Sequence, residues 1–146
     1  MGLDIYFNKI KKQSDEIGYF RKVNFLVSFV EDLLGREIIN CEEVPFDKQM
    51  AEELVRSCKE VLSAKADIKN YCEHQHIPDN EIGNYTPEMI AEELLPTRPG
   101  FFFGNTDYDE WYYHDVEEVL NWCESTLLPE FNDLDVDEQI YFSIWY

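Results

Sequence analysis

Residues 74–146 contain a single basic side chain, Arg98, against 17 acids, for a net charge of −16. Residues 1–73, with 14 acids and 11 bases, net only −3. A field of this sign repels a phosphate backbone, so no direct binding of nucleic acid is expected. It attracts basic protein surfaces, including those that otherwise hold nucleic acid. The plainer alternative is that the charge serves only to keep the chain in solution.

Other absences narrow the function further. No GxSxG elbow, P-loop, GxGxxG, HExxH or CxxC occurs, which disfavours a conventional hydrolase or nucleotide-binding enzyme. None of the few serines sits in a nucleophile turn. No apolar run approaches the ~20 residues of a membrane span. The start MGLDIYFNKIKK lacks the apolar region and cleavage site of a signal peptide. It also has Tyr6 where myristoylation needs Ser or Thr. A cytoplasmic protein without a membrane partner is the expectation. Cysteines are sparse and scattered, at 41, 58, 72 and 123. Cys58 and Cys123 fall on apolar positions of expected helices, which reads as buried reduced thiols rather than a disulfide framework.

What is present is core-forming material: 45% hydrophobic and 15% aromatic residues over 146 positions, enough for one folded domain. Leu3, Ile5 and Phe7 alternate with polar neighbours and predict a strand over 3–12, followed by a loop at 13–18. Helical spacing of Phe20, Val23, Leu26, Val27, Val30, Leu33 and Leu34 predicts a helix from Tyr19, closed by Gly35. Residues 37–44 read as a short strand or an extended connection. Asp47 caps a helix to about Ala66, its buried stripe running from Met50 to Leu62. Residues 67–85 read as an irregular excursion. Thr86 and Pro87 open a short helix that Pro96 stops.

Phe101 to Phe103 read as a buried strand or extended segment. Thr106 or Asp107 then caps a long helix to about Leu127. Its inward stripe is Tyr112, Val116, Val119, Leu120, Cys123 and Leu127, with Asp109, Tyr113, Glu117 and Glu124 on the solvated face. Ile140, Phe142, Ile144 and Tyr146 alternate as a final strand. The fold expected is α+β: three or four helices packed on a small, mostly antiparallel sheet that includes the N- and C-terminal strands.

Three clusters could carry chemistry. Cys72, His74 and His76 would point one way on an extended segment and could ligate zinc, with Cys41 or His114 as a fourth ligand; the alternative is a polar loop. Asp133, Asp135 and Asp137 begin like a calcium loop, but Glu138 replaces the sixth-position glycine and Ile144 the twelfth-position glutamate. Asn105, Asp107 and Asp109 depart from the pattern in the same way, so no metal or other cofactor is expected. The segment LPTRPGFFFGNTDYDEWYY at 95–113 supports two readings. In one, Arg98 forms an internal ion pair beside a buried strand and a self-capped helix. In the other, Arg98, Asp107, Tyr108, Asp109, Glu110 and Trp111 line a pocket for a nucleotide-like small molecule, bound or turned over.

The stretches MGLDIYFNK, GYFRKVNFL and LLPTRPGFFFGNTDYDEWYYHDVEEVL resemble a family of small proteins of bacteriophages, prophages and their hosts. Members open with MGLD and an aromatic, carry GYWRK-like and LPTxxGFFFGxTxYDEWY-like segments, and end in an aromatic strand. The resemblance covers most of the chain outside residues 65–94. Tyr19-Phe20 departs from it where Trp is common, as does the longer excursion around 67–85. No catalytic residue transfers with it. The resemblance implies an acidic protein that occupies a basic surface of a host protein, including as a nucleic-acid mimic in counter-defence. Candidate contacts are Glu117, Glu118, Glu124, Asp133, Asp135 and Asp137.

Overall fold

The structure is a computed structural model that describes residues 2–10 and 14–146. Lys11, Lys12 and Gln13, where the expected first strand and the following loop meet, lie outside the described residues. Four strands form one antiparallel sheet in the order β2-β1-β4-β3: β1 Asp4–Ile10, β2 Ser14–Arg21, β3 Val44–Pro45 and β4 Gln139–Trp145. Helices α1 Phe25–Leu34, α2 Lys48–Ala66, α3 Ile68–His74 and α4 Pro87–Leu94 follow in chain order. The last helical rod begins as α5 Glu110–Trp122 and runs through a π-helical turn at Cys123–Leu127 into α6 Leu128–Asp133. Five helical rods on an antiparallel sheet make the fold α+β, with the first and last strands paired at its centre.

The alternation of β1 and β4 decides which face is buried. Leu3, Ile5, Phe7, Ile140, Phe142 and Ile144 have essentially no exposure and join the helices' apolar residues in a single core. Phe7 is its centre, with ring centroids 4.7 Å from Trp122, 5.1 Å from Phe46 and 5.2 Å from Phe142. Such edge and tilted packings add specificity to the burial itself.

Residues 14–18 of the expected loop instead belong to β2, and the helix expected from Tyr19 starts only at Phe25. A bulge hides this strand from a period-two reading: Phe7 pairs with Gly18 but Asn8 pairs with Glu16, leaving Ile17 extra. The Ile17 carbonyl accepts a hydrogen bond from Trp122 Nε1 at 2.9 Å, and Gly18 lies directly under that indole. Lys22, at φ 59°, turns the chain from strand into helix. Leu33 and Leu34, expected on the inward stripe of α1, are 48% and 37% exposed, because the helix runs past the core's edge.

Helix α2 begins and ends as expected, with the Asp47 carboxylate accepting from Met50 N. The excursion at 67–85 is more regular than its composition suggests. Asp67 ends α2 and at once caps α3, and a 3-10 turn covers Ile82–Asn84. Thr86 caps α4 with Pro87 in its first turn. Tyr113, expected on the solvated face of the long helix, is buried where α5 packs on α2.

Candidate binding cleft

A buried side chain at the start of α1 is a main anchor of the segment between α4 and α5. Asn24, at the N-terminus of α1, is 3% exposed. Its Nδ2 donates to the carbonyls of Phe103 at 3.0 Å and Asn105 at 2.9 Å, while its Oδ1 accepts from Arg98 N at 3.0 Å. A buried amide with every partner in place fixes a loop that has no ladder of its own. Tyr108 Oη, which accepts from Thr97 N at 3.1 Å, and Thr97 Oγ1, which donates to Thr106 O at 2.9 Å, close the loop on itself.

The three phenylalanines of this loop are neither a strand nor uniformly buried. They form a turn in which Phe103 N donates to Gly100 O, and Leu3 N donates to Phe102 O at 2.8 Å. Phe103 is buried, Phe102 stacks on Tyr146, and Phe101 is 94% exposed. Gly104 sits at φ 90°, a conformation L side chains rarely adopt. Asp109, rather than Thr106 or Asp107, caps α5, accepting from Tyr112 N at 3.1 Å.

Arg98 makes the internal ion pair. Its Nε donates to Glu31 Oε1 at 2.7 Å and its Nη2 to Glu31 Oε2 at 3.4 Å, with the guanidinium 5.4 Å from the Phe103 ring centroid. Glu31 Oε2 also accepts from Ile38 N. The Glu31 bond raises the Arg98 pKa above its ordinary value, against an opposing effect of burial. Arg98 is thus a clamp between α1 and the loop, and no free grip remains for a ligand anion.

A cleft of about 190 Å³ does open beside this loop, lined by a different set of residues. Arg21 and Lys22, from the end of β2, form one wall; Asp107, Asp109, Trp111 and Asp115, around the start of α5, form the other; Asn24, Phe25, Thr97 and Tyr112 also line it. Of the six pocket residues expected from sequence, only Asp107, Asp109 and Trp111 line it. Tyr108 is engaged with Thr97, and Glu110 reaches across to Lys65 at 3.3 Å. Among the described residues, Arg21, Lys22, Asp107 and Asp115 form no ion pair, so the two walls face each other unneutralised. Burial, then the charge of Glu118, raises the Asp115 pKa above the ordinary carboxylate value; His114 opposes this and Asp109 adds to it. Trp111 is 77% exposed.

Sequence reasoning missed Arg21, Lys22, Asn24 and Asp115 as lining residues. The one signal was Asn24 itself, a polar residue inside the apolar run VNFLVSFV.

The expected partner-binding residues are spread along the last helical rod and beyond it. Glu117, Glu118 and Glu124 are exposed, Glu118 pairing with His114 Nε2 at 3.0 Å and Glu124 with Lys59 at 3.5 Å. Asp133 ends α6, and exposed Asp135 and Asp137 flank fully exposed Val136. The acidic surface extends toward α4: Glu88 and Glu110 both add to the burial that pushes Tyr113 up to about 12.

Cys72, His74 and His76 do not converge. Cys72 is buried inside α3, whereas exposed His74 is two residues on, with Nδ1 2.9 Å from Asn70 O, and His76 lies beyond the helix at φ 61°. Helical rather than extended backbone turns the first two about 200° apart. Among the described residues, no three His, Cys, Asp or Glu side chains are grouped to hold a metal ion. Burial pushes the Cys58 thiol up and the Cys123 thiol up to about 12, so both are poor nucleophiles. Among the described residues, no helix is long and apolar enough to cross a membrane. Compared with known proteins, the chain matches no family model, no curated protein and no solved structure.

Proposed function

We propose that this protein is a non-enzymatic acidic binding protein, of the phage or prophage type its sequence resembles. It occupies a basic surface of a host protein in the host cytoplasm, as a counter-defence factor that mimics nucleic acid. The observation that carries the reading is the fate of Arg98. The only base after residue 73 is engaged by Glu31, so it neutralises none of the carboxylates of the last helical rod. The lysines that do reach this rod are Lys59 and Lys65 from α2, which pair with Glu124 and Glu110, and Lys9 from β1, which pairs with Glu130, leaving Glu117 without an ion pair among the described residues. A negative surface of this kind steers association with a basic groove and loses strength with salt.

Immobilised protein is compared with its Glu117→Lys/Glu118→Lys/Glu124→Lys variant for capture of host-lysate proteins. The expected result is capture at low ionic strength by the parent alone, with release both by salt and by added duplex DNA. Equal capture by the charge-reversed variant, or none by the parent at low ionic strength, would sink the reading.

A further inference from the structure

The cleft beside the loop presents opposite charges that the protein holds apart. Arg21 and Lys22 stand on one wall, and Asp107, Asp109 and Asp115 on the other, with Trp111 beside them. The aliphatic stem of Lys22 is confined between Gly2 and Gly104, where a side chain at either glycine would meet it. Asp109 is committed to capping α5. No ion pair joins the two walls among the described residues, so an occupant bearing both charges can satisfy both sides.

We propose that this cleft binds a free amino acid: its carboxylate on Arg21 and Lys22, its ammonium among Asp107, Asp109 and Asp115, and its side chain against the Trp111 indole. Size supports this class of ligand. At about 190 Å³ the cleft falls below the ~300 Å³ at which pockets for drug-sized ligands begin, so it suits an amino acid better than a nucleotide. Charge argues the same way. A nucleotide phosphate would meet three carboxylates, and a simple amine would meet two cations, whereas a zwitterion opposes neither wall. The half-buried Asp115 forms no ion pair among the described residues, with only His114 of its own helix offsetting its charge, and an ammonium supplies a partner. With three acids facing two bases, the cleft retains one negative charge, which favours basic amino acids over acidic ones. The exposed face of Trp111 offers stacking and cation–π contact to a guanidinium or an alkyl-ammonium chain.

Calorimetric titration of the intact protein tests the proposal, with L-arginine, L-glutamate, agmatine (arginine without its carboxylate) and adenosine monophosphate as probes. Saturable binding of L-arginine is expected, at least tenfold tighter than L-glutamate, agmatine or the nucleotide. Arg21→Gln and Lys22→Asn, both at exposed positions and the second compatible with φ 59°, should weaken arginine about tenfold and leave agmatine unchanged. Asp115→Asn should weaken both, while Glu92→Gln on α4 should weaken neither. Absence of saturable arginine binding overturns the proposal. So does agmatine binding as tightly as arginine, or the nucleotide binding more tightly. None of these outcomes bears on protein capture by Glu117, Glu118 and Glu124, so the two readings fail separately.

Discussion

Two arginines lie close to Asn24, Arg21 through the chain and Arg98 through a hydrogen bond, and their surroundings differ. Arg98 is held bidentate by Glu31, lies over Phe103 and donates to the Pro99 carbonyl. Arg21 and its neighbour Lys22 form no ion pair among the described residues, although carboxylates line the same cleft. The first environment satisfies its charges and holds the loop; the second leaves charges of both signs facing solvent. Geometry that a fold maintains without local benefit is where binding is to be sought. Several substitutions separate the two environments, ordered by size.

Asn24 supports both, and its loss should cost most. Asn24→Ala strands the Phe103 and Asn105 carbonyls and the Arg98 amide in a buried setting, at roughly 3 kcal/mol of stability. The check is a urea unfolding midpoint that falls while the slope stays constant. An unchanged midpoint would mean that the loop holds itself. Glu31→Ala removes only the clamp. It leaves the Arg98 guanidinium and Ile38 N without their acceptor, costing about 2 kcal/mol; the cost stays below that of a fully buried pair because Arg98 keeps solvent access. Lys22→Asn measured alongside should change stability by less than about 0.5 kcal/mol. If both cost the same, the contrast between clamp and cleft disappears.

How far the sequence foretells this arrangement depends on the range of the interactions. Asp47 and the stripe of α2 are local, so both ends of that helix are readable. So are Thr86-Pro87 and the alternation of β1 and β4. The second strand is not, because the bulge at Ile17 breaks the alternation and Gly18 leaves space for an indole contributed by Trp122, far along the chain. The identical phenylalanines 101–103 take three different burials, set by Tyr146 and Leu3 rather than by their own neighbours. The composition of residues 95–113 does mark one wall of the cleft. Its sequence neighbour Arg98 is the obvious cation to set against those acids, yet the fold supplies Arg21 and Lys22 from the other end of the chain.

Gly104 lies where the two environments meet. Its φ of 90° opposes a side chain there, and so does the Lys22 stem, whose Cβ would lie 3.3 Å from an added methyl. Gly104→Ala should therefore cost about 1–2 kcal/mol. Its effect on Lys22 should appear in thermal melts as a loss that Lys22→Gly restores by more than it stabilises the parent, since glycine at φ 59° is favourable in either background. An equal gain in both backgrounds would show that backbone strain alone is responsible.

The smallest effect has the opposite sign. Burial is the main cause that raises the Asp115 pKa above its unfolded value, with Glu118 and Asp109 adding to it and His114 opposing. The folded state therefore holds that proton more tightly than the unfolded chain does, and ionising the group costs stability. The cost is absent at pH below the ordinary carboxylate value. It grows as pH rises from there through the raised value, and is fully present at neutrality. Asp115→Asn removes it and should stabilise the protein at pH 7 by a few tenths of a kcal/mol, since solvent reaches the half-buried group. The gain should vanish on acidification below the carboxylate range, as read from unfolding midpoints of parent and variant across that span. A substitution that strengthens the fold while weakening arginine binding would mark Asp115 as kept for the cleft rather than for stability. Destabilisation at pH 7 would instead place the carboxylate among the groups that hold α5 in position.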